Sequence, residues 1–154
     1  MATNAPIPSI KIAANSETGS TPKAKATVLL VEDDNYVSAS IWTLLKYSNF
    51  DVAVADSGAD GFRLAQSLSP DIVLLDVNLP DMDGLEICRR LKADPATSDI
   101  PVVFFSGHGQ FAHKALDLGA EAFLTKPNEI VRLADTLTQI LTSRATTQIP
   151  EGAA

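Results

Sequence analysis

The side chains most used for disulfides, soft metals and redox chemistry are nearly missing: 154 residues contain one cysteine, Cys88, and two histidines, His108 and His113. A lone cysteine excludes an internal disulfide, and two histidines without suitably spaced partners do not make a zinc site. Basic charge is scarce too, with 12 Lys and Arg against 19 Asp and Glu, a net charge of -7. Phosphate-backbone binding needs clustered Lys and Arg, so direct DNA or RNA contact is excluded as the main activity. Long apolar runs are absent as well. The longest, such as VLLV and IVLL, fall far short of the roughly 18 to 20 residues that cross a bilayer, so no membrane insertion is expected. The N-terminus lacks the basic start and apolar stretch of a signal peptide, which with the single cysteine leads us to expect a cytoplasmic protein.

What is present is ample apolar material, 45% of the chain, enough for one ordinary domain. Residues 1–25 mix Ala, Ser, Thr, Pro and Asn without a sustained period and read as a flexible N-terminal tail. Residues 146–154 have the same character, and the folded unit is expected over 26–145. The starting Met and the tail favour a complete chain over an excised piece.

Between those limits short β-rich runs, ATVLLV, DVAVA, DIVLLD, PVVFF and AFLT, alternate with segments of helical spacing. Val37, Ile41, Leu44 and Leu45 share a face of the first helix, Leu85, Cys88 and Leu91 a face of the third, and Ile130, Leu133, Leu137, Ile140 and Leu141 stripe the last. Runs such as VLLV and IVLL are apolar at every position, as expected of central parallel strands covered on both sides. An α/β fold with a doubly wound five-stranded parallel sheet and five helices follows. In such a sheet all strands end on one edge, where ligands bind.

Chemistry-bearing residues collect at that edge: Glu32, Asp33 and Asp34 after the first strand, Asp76 after the third, Ser106 after the fourth, and Lys126 with Pro127 after the fifth. VEDD alone would pass for a solvated loop, Ser106 for a turn hydroxyl and Lys126 for a surface lysine. Their coincidence at matching strand ends is what argues for a site. Carboxylates without histidine or thiol suit a hard cation such as Mg²⁺, with Mn²⁺ as a substitute. Asp76 is then a candidate nucleophile toward a phosphoryl group, Lys126 a second cation and Ser106 a donor to a phosphoryl oxygen. Asp81 and Asp83 of DMDG read as turn and cap residues, Asp83 as a helix N-cap, and Gly84 as backbone geometry. Cys88 reads as core, and Trp42 as partly exposed or packed under the tail.

VEDD, LLDVNLPDMDG, FFSG and FLTKP together resemble the receiver domain of two-component response regulators, specifically its single-domain, chemotaxis-type members. The resemblance covers about 120 residues and implies the flavodoxin-like strand order 2-1-3-4-5. It assigns Asp76 as phosphoacceptor, and Glu32, Asp33, Asp76 and the backbone carbonyl of Asn78 as metal ligands. Asp34 is left as an exposed neighbour. It makes Ser106 and Lys126 the catalytic pair, Phe123 the switch aromatic, and the Lys126–Pro127 bond cis. Asn78 and His108 are placed to tune the lifetime of the phosphorylated state. Ser106 and Lys126 lie 20 residues apart, where the family often has about two more, so the loop after the fourth strand or the fourth helix is expected to be short.

The implied function is a phosphorylation-dependent signalling switch, not an enzyme acting on external substrates. A histidine kinase or histidine phosphotransfer protein would donate the phosphoryl group, and a downstream protein would read the surface of the fourth helix, fifth strand and fifth helix. A receiver segment of a larger regulator or hybrid kinase is an alternative. An aspartyl-phosphate hydrolase fits less well, because its nucleophile follows the first strand and an acid stands two residues on, where Asn78 stands here. A flavin or nucleotide carrier would need an uncharged phosphate loop in place of VEDD.

Overall fold

The computed structural model describes residues 25–147. Five strands, β1 (Thr27–Val31), β2 (Asp51–Ala55), β3 (Ile72–Leu75), β4 (Val102–Ser106) and β5 (Ala122–Thr125), alternate with five helices. These are α1 (Asn35–Tyr47), α2 (Gly58–Leu68), α3 (Gly84–Ala93), α4 (Ala112–Asp117) and α5 (Leu133–Thr147). The strands form one parallel sheet in the order β2-β1-β3-β4-β5. This is the order expected, with β1 and β3 at the point where the winding reverses.

Uniformly apolar strands give two cores because alternate side chains point to opposite faces. Leu29, Val31, Val73, Leu75 and Phe104 pack with Leu85, Ile87, Cys88 and Leu91 of α3, Ala65 of α2 and Ala115 of α4. Val28, Leu30, Ile72, Leu74, Val103 and Phe105 pack with Ile41 and Leu45 of α1 and Leu133 and Leu137 of α5. At about 1.5–3 kcal/mol for each fully buried aliphatic or aromatic side chain, β1, β3 and β4 dominate the driving force for folding. Cys88 is buried in this core, and desolvation pushes its thiol up to about 11, out of reach of thiolate chemistry.

Helix starts are fixed by short polar side chains. Asp34 caps α1 through Tyr36 N and Val37 N, Ser57 caps α2 through Asp60 N, and Asp83 caps α3 through Leu85 N. The segment between Ser106 and Lys126 is economical, as its sequence length implies. It holds a 3-10 turn at Gly109–Phe111 and an α4 of only 6 residues. Ile130 lies in a second 3-10 turn, Asn128–Arg132, that leads into α5, so the last apolar stripe begins before its helix does. α5 itself continues to Thr147, two residues past the expected boundary at 145. The proposed tails fall outside the described residues except for positions 25, 146 and 147. Trp42 is 42% exposed.

Gly84 shows how tightly the start of α3 meets the end of β3. A Cβ there would stand 2.0 Å from the Asp76 carbonyl oxygen and 2.8 Å from Val77 Cα, and backbone atoms cannot rotate away. Gly84→Ala is therefore expected to destabilise the fold by about 3 kcal/mol or more. The shift in urea midpoint checks it, and an unchanged midpoint would contradict the packing described.

Candidate functional site

Each strand places its polar residue by continuing the sheet one step beyond its apolar run. Glu32 N donates to Ala55 O at 3.0 Å, Asp76 N to Val31 O at 3.2 Å, and Lys126 N to Ser106 O at 3.0 Å. These residues have left the core in character but not in hydrogen bonding. Their side chains consequently start from fixed backbone and converge on one cleft.

The cleft has a volume near 350 Å³ and is lined by Glu32, Asp33, Asp34, Asp76, Asn78, Gly107, His108 and Lys126. Lys126 Nζ bridges two carboxylates, donating to Glu32 Oε1 at 2.7 Å and to Asp76 Oδ2 at 3.0 Å. The second oxygen of Glu32 accepts from Asp34 N at 3.1 Å, and Asp76 Oδ1 accepts from Asn78 N at 3.3 Å. Glu32 and Asp76 are 3% and 6% exposed. The Lys126–Pro127 peptide bond is cis.

Burial raises the pKa of Glu32 above the ordinary glutamate value, with the charge of Asp76 adding to it, against the hydrogen bonds from Lys126 and Asp34 N. For Lys126 burial alone would lower the ammonium, but hydrogen bonds to Glu32 and Asp76, with their charges, hold it above the ordinary lysine value. The two directions have different leading causes, burial for Glu32 and the paired carboxylates for Lys126, while the formal charges leave the site with more carboxylates than its single ammonium balances.

That excess suits a cation. One carboxylate oxygen each from Glu32, Asp33 and Asp76 lies within 4.8 Å of the others, and the donors are all hard oxygens. Two of these acids already share Lys126. Asp33 is exposed, and among the described residues it has no hydrogen-bond or ion-pair partner, leaving it free to face an ion. The donor set thus fits Mg²⁺ or Mn²⁺.

Other expected residues sit around this centre in different ways. Ser106 is fully buried at the end of β4, behind Gly107, and its Oγ accepts from His108 N at 3.3 Å. Phe123 is not in the cleft. Its ring stacks on Phe104 with centroids 5.7 Å apart, on the sheet face covered by α2, α3 and α4. Asn78 and His108 stand on the cleft wall, and His108 also meets Phe111 edge-on at 6.4 Å. His113 is remote, on the exposed side of α4, 3.6 Å from Asp117.

Two acids do work that the motifs alone did not reveal. Asp34 is more than an exposed neighbour, since its Oδ1 caps α1. Asp81 serves a different helix from the one it precedes, accepting from Gly58 N at 2.7 Å and Ala59 N at 2.9 Å at the start of α2. These bonds hold its carboxyl below the ordinary aspartate value. No local pattern signals a cap whose partner lies 23 residues away.

Comparison with known proteins agrees with this geometry. The family model of the response regulator receiver domain matches residues 28–138. The DNA-binding dual master transcriptional regulator RpaA of Synechocystis is 36% identical over 128 residues, which are 82% of this chain and 52% of that protein. The chain therefore spans about half the length of that relative. A response regulator receiver domain protein from Clostridium thermocellum superposes with a TM-score of 0.73 at 26% identity, covering 80% of this chain and 99% of that one. The receiver domain of the sensor histidine kinase PA1611 from Pseudomonas aeruginosa gives 0.71 at 24% identity, covering 77% and 99%, and shares the fold. In that protein a magnesium ion is coordinated in the active site cleft.

The raised pKa of Glu32 has a definite sign in stability. As pH rises from 4.5 the unfolded chain gives up this proton before the folded one does, so the native state loses stability until the folded group has ionised. Glu32→Gln lacks that loss. It should be more stable than the parent at pH 7, with the advantage shrinking as pH falls toward 4.5. Melting temperatures of both proteins across that interval test this, and a difference that does not vary with pH would refute it.

Proposed function

Since the chain belongs to the response regulator receiver domain family, whose members act as phosphoacceptor signalling switches, we propose that its acceptor is Asp76 and that its donor is a phosphohistidine of a kinase or phosphotransfer protein. The observation that carries this reading is the bridge from Lys126 to Glu32 and Asp76, at 2.7 and 3.0 Å. It sets a buried carboxylate beside a movable ammonium at the strand-end edge of the sheet. In the transfer a carboxylate oxygen of Asp76 forms the new bond to phosphorus while the bond from phosphorus to the histidine nitrogen breaks, and the departing imidazole takes up a proton from solvent.

Glu32, Asp33, Asp76 and the Asn78 carbonyl would hold Mg²⁺, or Mn²⁺ in its place. When bound, the ion supplies positive charge to neutralise the phosphoryl oxygens. The remaining chemistry belongs to the chain. Lys126, released from Asp76 as the carboxylate becomes an acyl phosphate, is within reach of a phosphoryl oxygen. Ser106 uses a lone pair to accept from the His108 amide, so its hydroxyl proton stays available for donation to the same group. Phe123 has no hydroxyl and acts by packing on Phe104 alone. His108 and Asn78, on the cleft wall, govern how easily water reaches the phosphoryl group.

The modified pocket would bias the α4-β5-α5 surface between two arrangements, and a downstream protein would bind one of them better. Whether that partner is a separate molecule or an output domain of the same polypeptide is a second reading, favoured by the 52% coverage of RpaA.

Intact mass after incubation with acetyl phosphate or phosphoramidate tests the acceptor. Wild type with Mg²⁺ should gain one labile phosphoryl group, and Asp76→Asn, or wild type in chelator, should gain none. Labelling of Asp76→Asn at the wild-type rate would reassign the acceptor. In the same assay His108→Ala should change the dephosphorylation rate several-fold without altering the site of labelling. Melting temperature should rise with millimolar Mg²⁺ for wild type, because the cation relieves repulsion among Glu32, Asp33 and Asp76. A flat response would count against these ligands.

A further inference from the structure

Asn78 is held differently from the buried acids of the cleft. Glu32 and Asp76 are fixed by the sheet, through their own N–H groups to Ala55 O and Val31 O. Asn78 is exposed, on the turn between β3 and α3, and its N–H donates to Asp76 Oδ1. That turn is tied first to itself. Asn78 pairs with Asp83 in a short antiparallel bridge, and beside it Gly84 N donates to Val77 O at 2.7 Å, which leaves the Asn78 carbonyl for another partner. Leu79, Pro80, Asp81 and Met82 form the tip. Leu79 is buried and Met82 packs partly against the core, but apolar burial presses without direction.

Direction comes from Asp81. Its two carboxylate oxygens accept from Gly58 N at 2.7 Å and Ala59 N at 2.9 Å, two of the donors that the first turn of a helix leaves without helical partners. Ser57 Oγ takes a third, Asp60 N, at 3.2 Å. Short charge-assisted bonds from one carboxylate to two adjacent amides fix an orientation as well as a distance. The approach is close, since a Cβ at Gly58 would stand 2.7 Å from Met82 Cγ and 3.3 Å from Asp81 Oδ1. α2 is in turn seated on β1. A Cβ at Gly61 would stand 2.8 Å from Cγ2 of Val31, the residue before Glu32. One helix thus relates the strand end that carries Glu32 and Asp33 to the turn that carries Asn78.

We infer that Asp81 is a positioning residue of the cleft: by clamping the tip of the turn to α2 it fixes the Asn78 carbonyl relative to Glu32 and Asp33, and so sets the affinity for Mg²⁺ and its preference over Ca²⁺. The inference rests on the reading of Asn78 as a ligand proposed above. Asp81 itself is not among the residues that line the cleft, so it acts through the turn. Placement matters because Mg²⁺ demands near-ideal octahedral geometry, whereas Ca²⁺ accepts a looser arrangement of oxygens. A turn freed from α2 should therefore cost Mg²⁺ more than Ca²⁺. Loss of the Asp81 charge by itself would weaken both ions alike, because they carry the same charge.

Calorimetric titration of the full chain with magnesium chloride, and separately with calcium chloride, tests this at about 0.15 M salt, where charges more than about 8 Å apart are screened. Asp81→Ala should raise the Kd for Mg²⁺ about 10-fold, the lower end of what loss of a ligand's supporting contact costs, and the Kd for Ca²⁺ by less. Asp81→Asn, which keeps one acceptor oxygen, should fall between, and it carries the test if circular dichroism shows Asp81→Ala unfolded. Ser57→Ala removes a cap from the same end of α2 without touching the turn. It should lower the melting temperature and leave both affinities as they are. An unchanged Kd for Mg²⁺ in the folded Asp81 variants overturns the inference. Equal losses for the two ions overturn it too, since Asp81 would then act by charge alone. So does a Ser57→Ala protein as weak toward Mg²⁺ as Asp81→Ala, which would make helix stability the cause. A wild type that takes up no Mg²⁺ overturns the ligand set of the cleft, and this inference with it.

Discussion

Everything about the pocket depends on one electrostatic imbalance: three carboxylates at the end of a buried sheet share a single ammonium, which bridges only Glu32 and Asp76. Had Lys126 been absent, Glu32 and Asp76 would face each other across an apolar edge with nothing to compensate either charge, a situation that folded chains avoid. Had there been two lysines, the excess that invites a cation would vanish. With one, the resting protein is satisfied yet primed, because Lys126 can be shared, surrendered and re-formed as charge on Asp76 changes. The upward shift of Lys126, against its burial, follows from its two carboxylate partners, while that of Glu32 comes first from burial, with the charge of Asp76 adding to it.

The imbalance is tolerable because the sheet imposes it. Glu32, Asp76 and Lys126 are each the first residue beyond a strand, and each still donates its backbone N–H to the neighbouring strand. The cost of holding like charges together is thus met partly by the burial of β1, β3 and β4 and partly by the Lys126 bridge within the cleft. Asp81 extends the same logic to the loop after β3, pinning it to the first amides of α2 so that Asn78 keeps its place.

The parallel sheet and the cleft were legible in the sequence because each depends on local pattern: apolar strand-length runs, helical stripes, and polar residues at strand ends that topology brings together; the strand order came through the family resemblance. Residues whose roles depend on distant partners were less legible. Asp81 looked like a turn residue because its partners lie in α2. Asp34 looked idle because acids in a cluster resemble one another until backbone dihedrals select one as a cap. Phe123 carried its meaning through family resemblance, and only the structure places its ring on Phe104. The end of α5 ran past its expected limit because Thr146 and Thr147, which read as tail, also tolerate a helix whose earlier turns are anchored by Leu133 and Leu137.

The brevity of α4 bears on how the molecule could spend its free energy. This helix buries one residue, Ala115, and is too short to be stable on its own. In the language of local unfolding, it belongs to the low-stability end of the native ensemble, where segments open at small cost while the central strands stay protected. A surface built on such an element can be reorganised by a modest change in the adjoining cleft. If the proposed α4-β5-α5 surface is the one read by a partner, less of the driving force from phosphorylation would be consumed in moving it, and more would remain to discriminate between partners.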